Sequence, residues 1–430
     1  MQQTITIKCK LKLQSSLDES VLTKSLEQYR RACNAVSQYM FDHSFEMAQA
    51  KLNKALYHQL RNDYGLKAQM AQSAIRNVVA RYRTVKTQLA QKPYRYNTGK
   101  QDRYGNDIWK NETRTLDWLW HPINFKRPQL DLQRNRDWSL KDNHIMSINT
   151  VNGRIKVPFT CQGFDQYLNG TWEFGMAKIL HVGNKWYMHI SATKELPDYL
   201  KEQSQHVVGI DRGLRFLATA YDEHGKTLFF QGQEVLRKRS KFKRLRQQLQ
   251  SRGTKSAKRR LKKIGQRENR WMTDINHQLS KTLVNRYGAD TLFVLENLAN
   301  VRFATEKVTK TQRYEQVSWA FYQLAQFLTY KAHLVGSEVV QVSAKYTSQR
   351  CPKCGRIYKN NRNHQQHLYV CDRCGYQSND DRIGAMNIQL LGTQYISGNE
   401  RPSFNKLTAG EQISLAKRVC RQPPDDVATS

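Results

Sequence analysis

Residues 351–375 read CPKCGRIYKNNRNHQQHLYVCDRCG, and this run constrains the fold more than any other in the chain. Cys351, Cys354, Cys371 and Cys374 form C-x2-C-x16-C-x2-C, each pair followed by a glycine, Gly355 or Gly375. A C-x2-C pair on a tight knuckle brings two thiolates to one ion, and four soft thiolates in a tetrahedron favour Zn²⁺ in a closed structural site. Two disulfides would use the same cysteines, but the close pairing and a reducing compartment point to zinc. His364 and His367 lie between the pairs. Either could replace a cysteine; we read them as solvated or as contacting nucleic acid. The metal knuckle then runs into an Asp-Asp pair, with Asp381 seven residues after Cys374.

A 430-residue chain is too long for one small core, so two or three domains are expected. Seventy lysines and arginines face 36 acids, a formal net charge of +34. Such an excess repels itself unless a polyanion meets it, which makes nucleic acid the first partner to consider and an acidic membrane the second. No segment carries the continuous apolar run of a membrane span or a secretory signal, and the mean hydropathy is −0.76. The expectation is a soluble cytoplasmic protein, associated with the nucleoid of a bacterial cell. The remaining cysteines, Cys9, Cys33, Cys161 and Cys420, are isolated and read as small buried hydrophobes.

The apolar period changes along the chain. Residues 3–13 alternate as a strand. From Val21 the residues Leu22, Leu26, Tyr29, Cys33, Val36 and Met40 recur at helical spacing, and helical patterning returns at 50–62 and 67–90, where Met70, Ala74, Val78 and Tyr82 share a face. Residues 91–107 have no period and read as a loop. Strands resume near 108, with hairpin signals at Asn152-Gly153 and Gly183-Asn184. After Gln205, buried strands alternate with helices over 237–290 and 312–335, the mark of an α/β domain. The expected architecture is therefore multidomain α+β. Its parts are a β-rich, barrel-like domain (1–16 and 108–205) with a helical insertion (17–107), an α/β domain (206–348 and 376–410) with an inserted zinc ribbon (349–375), and a disordered tail (411–430).

Three acids have distinctive surroundings. Asp211 ends the apolar strand VVGID, Glu296 ends TLFVLE, and Asp381 opens the helix DRIGAMNI. Singly, each is more often a turn or cap residue. Together, two acids at the ends of neighbouring buried strands and a third at a helix start can converge. Converged carboxylates repel unless cations join them, and hard oxygen ligands suit Mg²⁺ or Mn²⁺. Two such ions can activate water and stabilise the leaving oxygen in phosphodiester cleavage.

In chain order, GIDRGLRFLAT, FVLENL, YTSQRCPKCG, CDRCG and DRIGAMNI resemble the nuclease motifs of the TnpB (OrfB) family. These are transposon-encoded RNA-guided DNA endonucleases with a RuvC-like, RNase H-type domain, related to type V CRISPR effectors. The resemblance is clear over about 206–390. It implies that Asp211, Glu296 and Asp381 are the catalytic, magnesium-holding acids, that the ribbon is an insertion contacting target nucleic acid, and that guide RNA and double-stranded target DNA are the partners of a monomer. Asp380 stands where the family has a small residue and is not assigned to catalysis. Ile383 and Gly384 stand where a small polar residue or alanine is common. His277 also matches a family position and is read as structural or RNA-contacting.

Residues 237–270 hold sixteen lysines and arginines against one acid, Glu268. A face this one-sided favours phosphate contact, and the resemblance lays this helical hairpin along the guide RNA–DNA duplex. Lys241, Arg244, Arg259, Arg260, Lys263 and Arg267 are the candidate contacts, with Leu245, Leu249, Leu261 and Ile264 forming stripes to dock on the core. Upstream, Arg76 is a candidate contact, on a helix with Arg81, Arg83 and Lys86. The aromatic run DWLWHPINF (117–125) could stack on bases but reads as core packing. The reading is an RNA-guided DNA endonuclease cutting beside a short duplex motif, with an RNA-guided repressor or a DNA transposase as alternatives.

Overall fold

A computed structural model describes residues 1–142, 144–298, 321–363 and 365–405. The expected tail, Cys420, His364 and the first part of the expected 312–335 helix lie outside the described residues. The chain divides into two compact units, one over Gln2–Glu195 and the other over Met1 and Leu196–Ser430.

In the first unit, β1 (Gln2–Leu11) alternates exposed and buried residues and lies inside a seven-stranded sheet of order β4-β8-β9-β1-β7-β6-β5. β4 is Gln129–Leu132, β5 Trp138–Asp142, β6 Ile145–Thr150, β7 Gly153–Thr160, β8 Glu173–Val182 and β9 Lys185–Glu195, all paired antiparallel. The two edge strands, β4 and β5, are consecutive in the chain and joined by 133–137, so the sheet must curl until its edges approach. Gly153 supplies the positive φ (118°) that the β6–β7 turn needs. Between β1 and β4 come α1 (Ser16–Asp42), α2 (Gln49–Asn62) and α3 (Ala68–Ala90). Ser15 caps α1 by accepting the amide of Asp18. The helical faces read from the sequence are the buried ones, and they join the sheet residues Ile7, Cys9, Trp138 and Ile190 in one core.

Two readings need correction here. Residues 91–107 are not an irregular loop: β2 (Tyr94–Gln101) and β3 (Asp107–Glu112) form a separate two-stranded ribbon. Its residues are almost all exposed, so it buries no apolar face and shows no period that sequence could reveal. Nor is DWLWHPINF simply core: Leu116 is buried just before it and Ile123 and Phe125 pack on the core, but Trp118 and Trp120 are exposed.

The second unit is built on a five-stranded sheet of order β12-β11-β10-β13-β14. β10 (His206–Asp211), β11 (Phe216–Tyr221) and β12 (Thr227–Gln231) pair antiparallel, while β10, β13 (Thr291–Glu296) and β14 (Glu338–Val342) run parallel. The strands are apolar on both faces because helices cover both. Val208, Ile210, Phe293 and Leu295 pack with α5 (Lys255–Tyr287) and α6 (Phe321–Leu334); Leu292, Val294 and Val342 pack with α7 (Asp380–Ile396). α4 (Gln233–Arg252) and the first half of α5 form a helical hairpin. Their apolar stripes do not dock on the sheet as expected. Leu249, Ala257 and Ile264 meet Phe242, Leu245 and Leu261 in a small core of their own, so the two helices cover each other's apolar faces.

Candidate active site and metal centre

The register of β10 and β13 brings the first two acids together. Gly209 faces Val294 and Ile210 faces Leu295, so the next residues, Asp211 and Glu296, end adjacent parallel strands about 4.8 Å apart. The carboxyl ends of parallel strands are where ligands meet open α/β sheets. Glu296 is held in place: Thr347 Oγ1 donates to its Oε1, and Arg212 reaches its backbone carbonyl while donating to the Phe321 carbonyl at 3.0 Å.

Asp381 arrives on α7. Asn379 caps that helix, accepting the amides of Asp381 (3.0 Å) and Arg382 (3.2 Å), which places Asp381 in the first turn. α7 then crosses the sheet at very short range because two glycines allow it. A Cβ on Gly209 would lie 2.3 Å from Ala385 O and Gln389 N, and one on Gly392 would lie 2.4 Å from Val294 Cγ2. Glycine inside a helix costs about 1 kcal/mol against alanine, so Gly392 exchanges helix propensity for contact with the sheet.

Gly384 has a similar reason. A Cβ there would fall 2.5 Å from Asp211 Oδ2. Standing where a small polar residue or alanine is common in the family, this glycine lets Asp211 lean against the first turns of α7. With alanine at 384, Asp211 would need another rotamer.

The three acids thus approach one corner, near enough for the charges of Glu296 and Asp381 to act on Asp211. Burial pushes the Asp211 carboxyl well above the usual carboxylate range, and the charges of Glu296 and then Asp381 push it further; Arg362 opposes them. Burial also raises Glu296, against the hydrogen bond from Thr347 and the charges of Arg212 and Arg362. Among the described residues their oxygens do not all fall within 4.8 Å of one another. Mutually repelling carboxylates with an excess of negative charge fit a site for hard divalent cations.

The guanidinium of Arg362 had no signal in the sequence. It sits in the ribbon between the cysteine pairs, in the run NNRNHQQH, and folds back onto α7. Its Nε donates to Asp380 Oδ2 at 2.8 Å and its Nη2 to Asp381 Oδ1 at 3.3 Å. Asp380 is 1% exposed and faces His367 Nδ1 at 3.4 Å on its other oxygen. His367 is therefore half-buried, with Nδ1 facing Asp380, and with its left-handed backbone (φ 54°) its carbonyl accepts the Asp380 amide at 3.2 Å. Asp380 ties the ribbon to the helix that carries Asp381. Asn387, in the motif DRIGAMNI, does the same for the preceding loop: its side-chain amide donates to the carbonyls of Thr347 and Arg350, each at 2.7 Å.

The four cysteines converge. Cys351 Sγ lies 3.6 Å from Cys374 Sγ, and Cys354 Sγ lies 3.5 Å from Cys371 Sγ. A tetrahedral zinc thiolate site, with Zn–S near 2.3 Å, needs S···S separations of about 3.8 Å; a disulfide needs about 2.05 Å. The two knuckles repeat one design. Gly355 (φ 72°) and Gly375 (φ 71°) turn back to donate to the carbonyls of Cys351 and Cys371, each at 3.0 Å. The sulfurs fit zinc and not disulfides. Of the isolated cysteines, Cys9 and Cys33 are buried as expected and Cys161 is half-buried.

The basic candidates Lys241, Arg244, Arg259, Arg260, Lys263 and Arg267 are all exposed on α4 and α5. Arg239 is buried, and Arg246 pairs with Glu268, so the surface charge of the hairpin is somewhat less than the sequence count. His277 stacks on Phe327 (3.9 Å between ring centres), a packing role. In the first unit, Arg76 lines a cleft of about 630 Å³ with Arg83, Gln49, Lys178 and His189. No helix among the described residues is long and apolar enough to cross a membrane.

Comparisons with known proteins place the chain among nucleic-acid enzymes by similarity. Residues 321–388 match the family described as "Cas12f1-like, TNB domain", and residues 191–300 match OrfB_IS605, described as "Probable transposase". The CRISPR-associated endodeoxyribonuclease Cas12f1 of Sulfoacidibacillus thermotolerans is 28% identical over 59% of this chain and 63% of its own length. The putative RNA-guided DNA endonuclease InsQ of Escherichia coli K12 is 28% identical over 65% of this chain and 69% of its own. The TnpB-like protein L79 of Acanthamoeba polyphaga mimivirus is 25% identical over 46% of this chain and 39% of its own. The match thus spans less than two thirds of the length of Cas12f1 and of L79. A solved Cas12f1–sgRNA–target DNA complex superposes with a TM-score of 0.52 at 12% identity, covering 86% of this chain and 82% of that one, which shows a shared multidomain α+β fold.

Proposed function

We propose that this chain, a relative of the TnpB and Cas12f1 proteins, is an RNA-guided DNA endonuclease whose RuvC-like α/β unit cuts phosphodiester bonds at Asp211, Glu296 and Asp381. The observation that carries this is the approach of three acids, from β10, β13 and α7, toward the carboxyl edge of one sheet. The trio would hold Mg²⁺ or Mn²⁺, which supply activation of water and charge stabilisation at the scissile phosphate. The chain's own residues do the positioning. Thr347 and Arg212 orient Glu296, Gly384 admits Asp211, Asn379 fixes the first turn of α7, and Arg362 offsets the charge on Asp381.

In this reading the zinc-holding ribbon of 349–375 is an insertion in the nuclease domain (206–348 and 376–410), clamped to it by Arg362 and Asn387. The exposed cations of α4 and α5 lie along the backbone of a guide RNA–target DNA duplex. The β-rich domain (1–16 and 108–205) and its helical insertion (17–107) meet the neighbouring DNA duplex, with Arg76 in their cleft. Base pairing to the guide supplies most of the sequence specificity.

The test is cleavage of a plasmid matched to the co-purified RNA, in Mg²⁺, by the parent and by Asp211→Ala. The expected result is cutting by the parent and guided binding without cutting by the variant. Guided binding with no cutting by either makes the chain a repressor, and strand joining without RNA makes it a transposase; either result ends the nuclease reading.

A further inference from the structure

We propose that the β2–β3 ribbon is a stacking platform for an unpaired RNA strand, an inference that rests on the RNA-guided reading above. Among the described residues the ribbon pairs with no other strand, and every residue of β3 is exposed. Two strands alone are marginal in water, and here rings and guanidinium planes brace them. Tyr94 and Tyr96 lie on one face with nearly parallel rings, 14° apart with centres at 6.1 Å. Trp118 sits 5.3 Å from Tyr94, and the Arg114 guanidinium lies over Trp118 at 5.3 Å and Tyr94 at 5.9 Å. On the other face Arg95 covers Trp109 at 5.0 Å. Tyr94, Trp109 and Trp118 remain exposed.

A phosphate-binding surface would look different. From 92 to 114 there are six cations, Lys92, Arg95, Lys100, Arg103, Lys110 and Arg114, but also Asp102, Asp107 and Glu112. The α4–α5 hairpin carries sixteen cations against one acid, so backbone charge is not what this ribbon is built to meet. Its exposed side chains are tyrosine and tryptophan rings interleaved with guanidinium planes, the kind of surface that stacks unpaired bases without regard to sequence. Residues two apart on a strand stand about 6.4–6.8 Å apart, twice the 3.4 Å rise of stacked bases, so Tyr94 and Tyr96 match every second base of a stacked strand.

Glu112 favours RNA over DNA at this platform. It pairs directly opposite Tyr94, on the same face, while Lys110 pairs opposite Tyr96. A carboxylate at the edge of the platform repels a phosphate but accepts a ribose 2′-hydroxyl, which DNA lacks.

The experiment uses the full chain freed of co-purified RNA, in about 0.3 M salt to screen phosphate contacts elsewhere. The probe is a single-stranded RNA of about twelve nucleotides carrying 5-iodouridine, with the DNA of the same sequence as comparison. Photo-crosslinks map to Tyr94, Tyr96 or Trp118, and the Tyr94→Ala/Tyr96→Ala variant loses those crosslinks and binds roughly 10-fold or more weakly. Tyr94→Phe/Tyr96→Phe keeps the affinity, which separates stacking from folding. Crosslinks confined to other segments, or parental affinity in the alanine variant, overturn the proposal. DNA crosslinking equal to RNA moves the site to a DNA strand and also overturns it. No cleavage is read, so these outcomes stand whether or not the chain cuts a matched plasmid.

Discussion

Substitution of Gly209 by alanine tests the geometry most directly. The added Cβ would stand 2.3 Å from Ala385 O and Gln389 N and 2.7 Å from Gln389 Cα, where ordinary contact begins at 3.4 Å. The strand and α7 must therefore separate by about 1 Å. All three opposing atoms are backbone, so no rotamer change absorbs the clash. The displacement acts two residues before Asp211 on the strand and four residues after Asp381 on the helix. A misplacement of about 1 Å at reacting groups costs on the order of 100-fold in rate, and overpacking of this kind costs about 1–3 kcal/mol of stability, which a folded domain survives. The assay is single-turnover cleavage of a matched plasmid by the RNA-loaded variant, with duplex binding followed by fluorescence anisotropy. Binding near the parental level with cleavage reduced on the order of 100-fold is the expected pair of results. Cleavage by a folded Gly209→Ala chain within about threefold of the parent would refute the claim that close strand–helix contact positions the acids. Gly265 is the control: nothing lies within 4 Å of its added Cβ, so Gly265→Ala should raise stability by up to about 1 kcal/mol in thermal melts.

Other outcomes follow from the same structure. The purified chain should carry one zinc, and Cys354→Ser should lose it; an unchanged zinc content in that variant contradicts the ligand set. Because Asp211 and Glu296 are raised, the folded chain without divalent ions holds protons that the unfolded chain has released. Their contribution to stability is full below the ordinary carboxylate range near 4 and declines as pH rises through the folded values. Melting temperature of the parent relative to Asp211→Asn should therefore fall with rising pH, and added Mg²⁺ should cancel the fall; a pH-independent difference counts against a crowded acid site. Arg362→Ala leaves the carboxylate of Asp380 buried without its closest cation and should destabilise the second unit by about 3–5 kcal/mol, whereas Arg362→Ala/Asp380→Ala should recover much of that loss; denaturant melts of both variants decide.

The residues proposed here to carry the chemistry were legible because their identity depends on local pattern. Two apolar runs ending in Asp211 and Glu296, the paired cysteines, and the one-sided run of cations each fit inside a short window. What acts across long separations left no local mark. Arg362, between cysteine pairs, reaches Asp381 only because the ribbon folds back on α7. Gly209 and Gly384 matter only because a helix from the other end of the unit passes within contact distance. The stripes of α4 and α5 cover each other because both face inward in a hairpin. The ribbon at 94–112 hid for another reason: it fully buries no residue, and hydrophobic period records only what is buried. Local sequence determined which side chains could do this chemistry. Which of them meet, and which guanidinium and glycines bring them there, was decided by the packing of chain segments that lie up to 180 residues apart, because close packing is a property of facing surfaces that neither surface encodes alone.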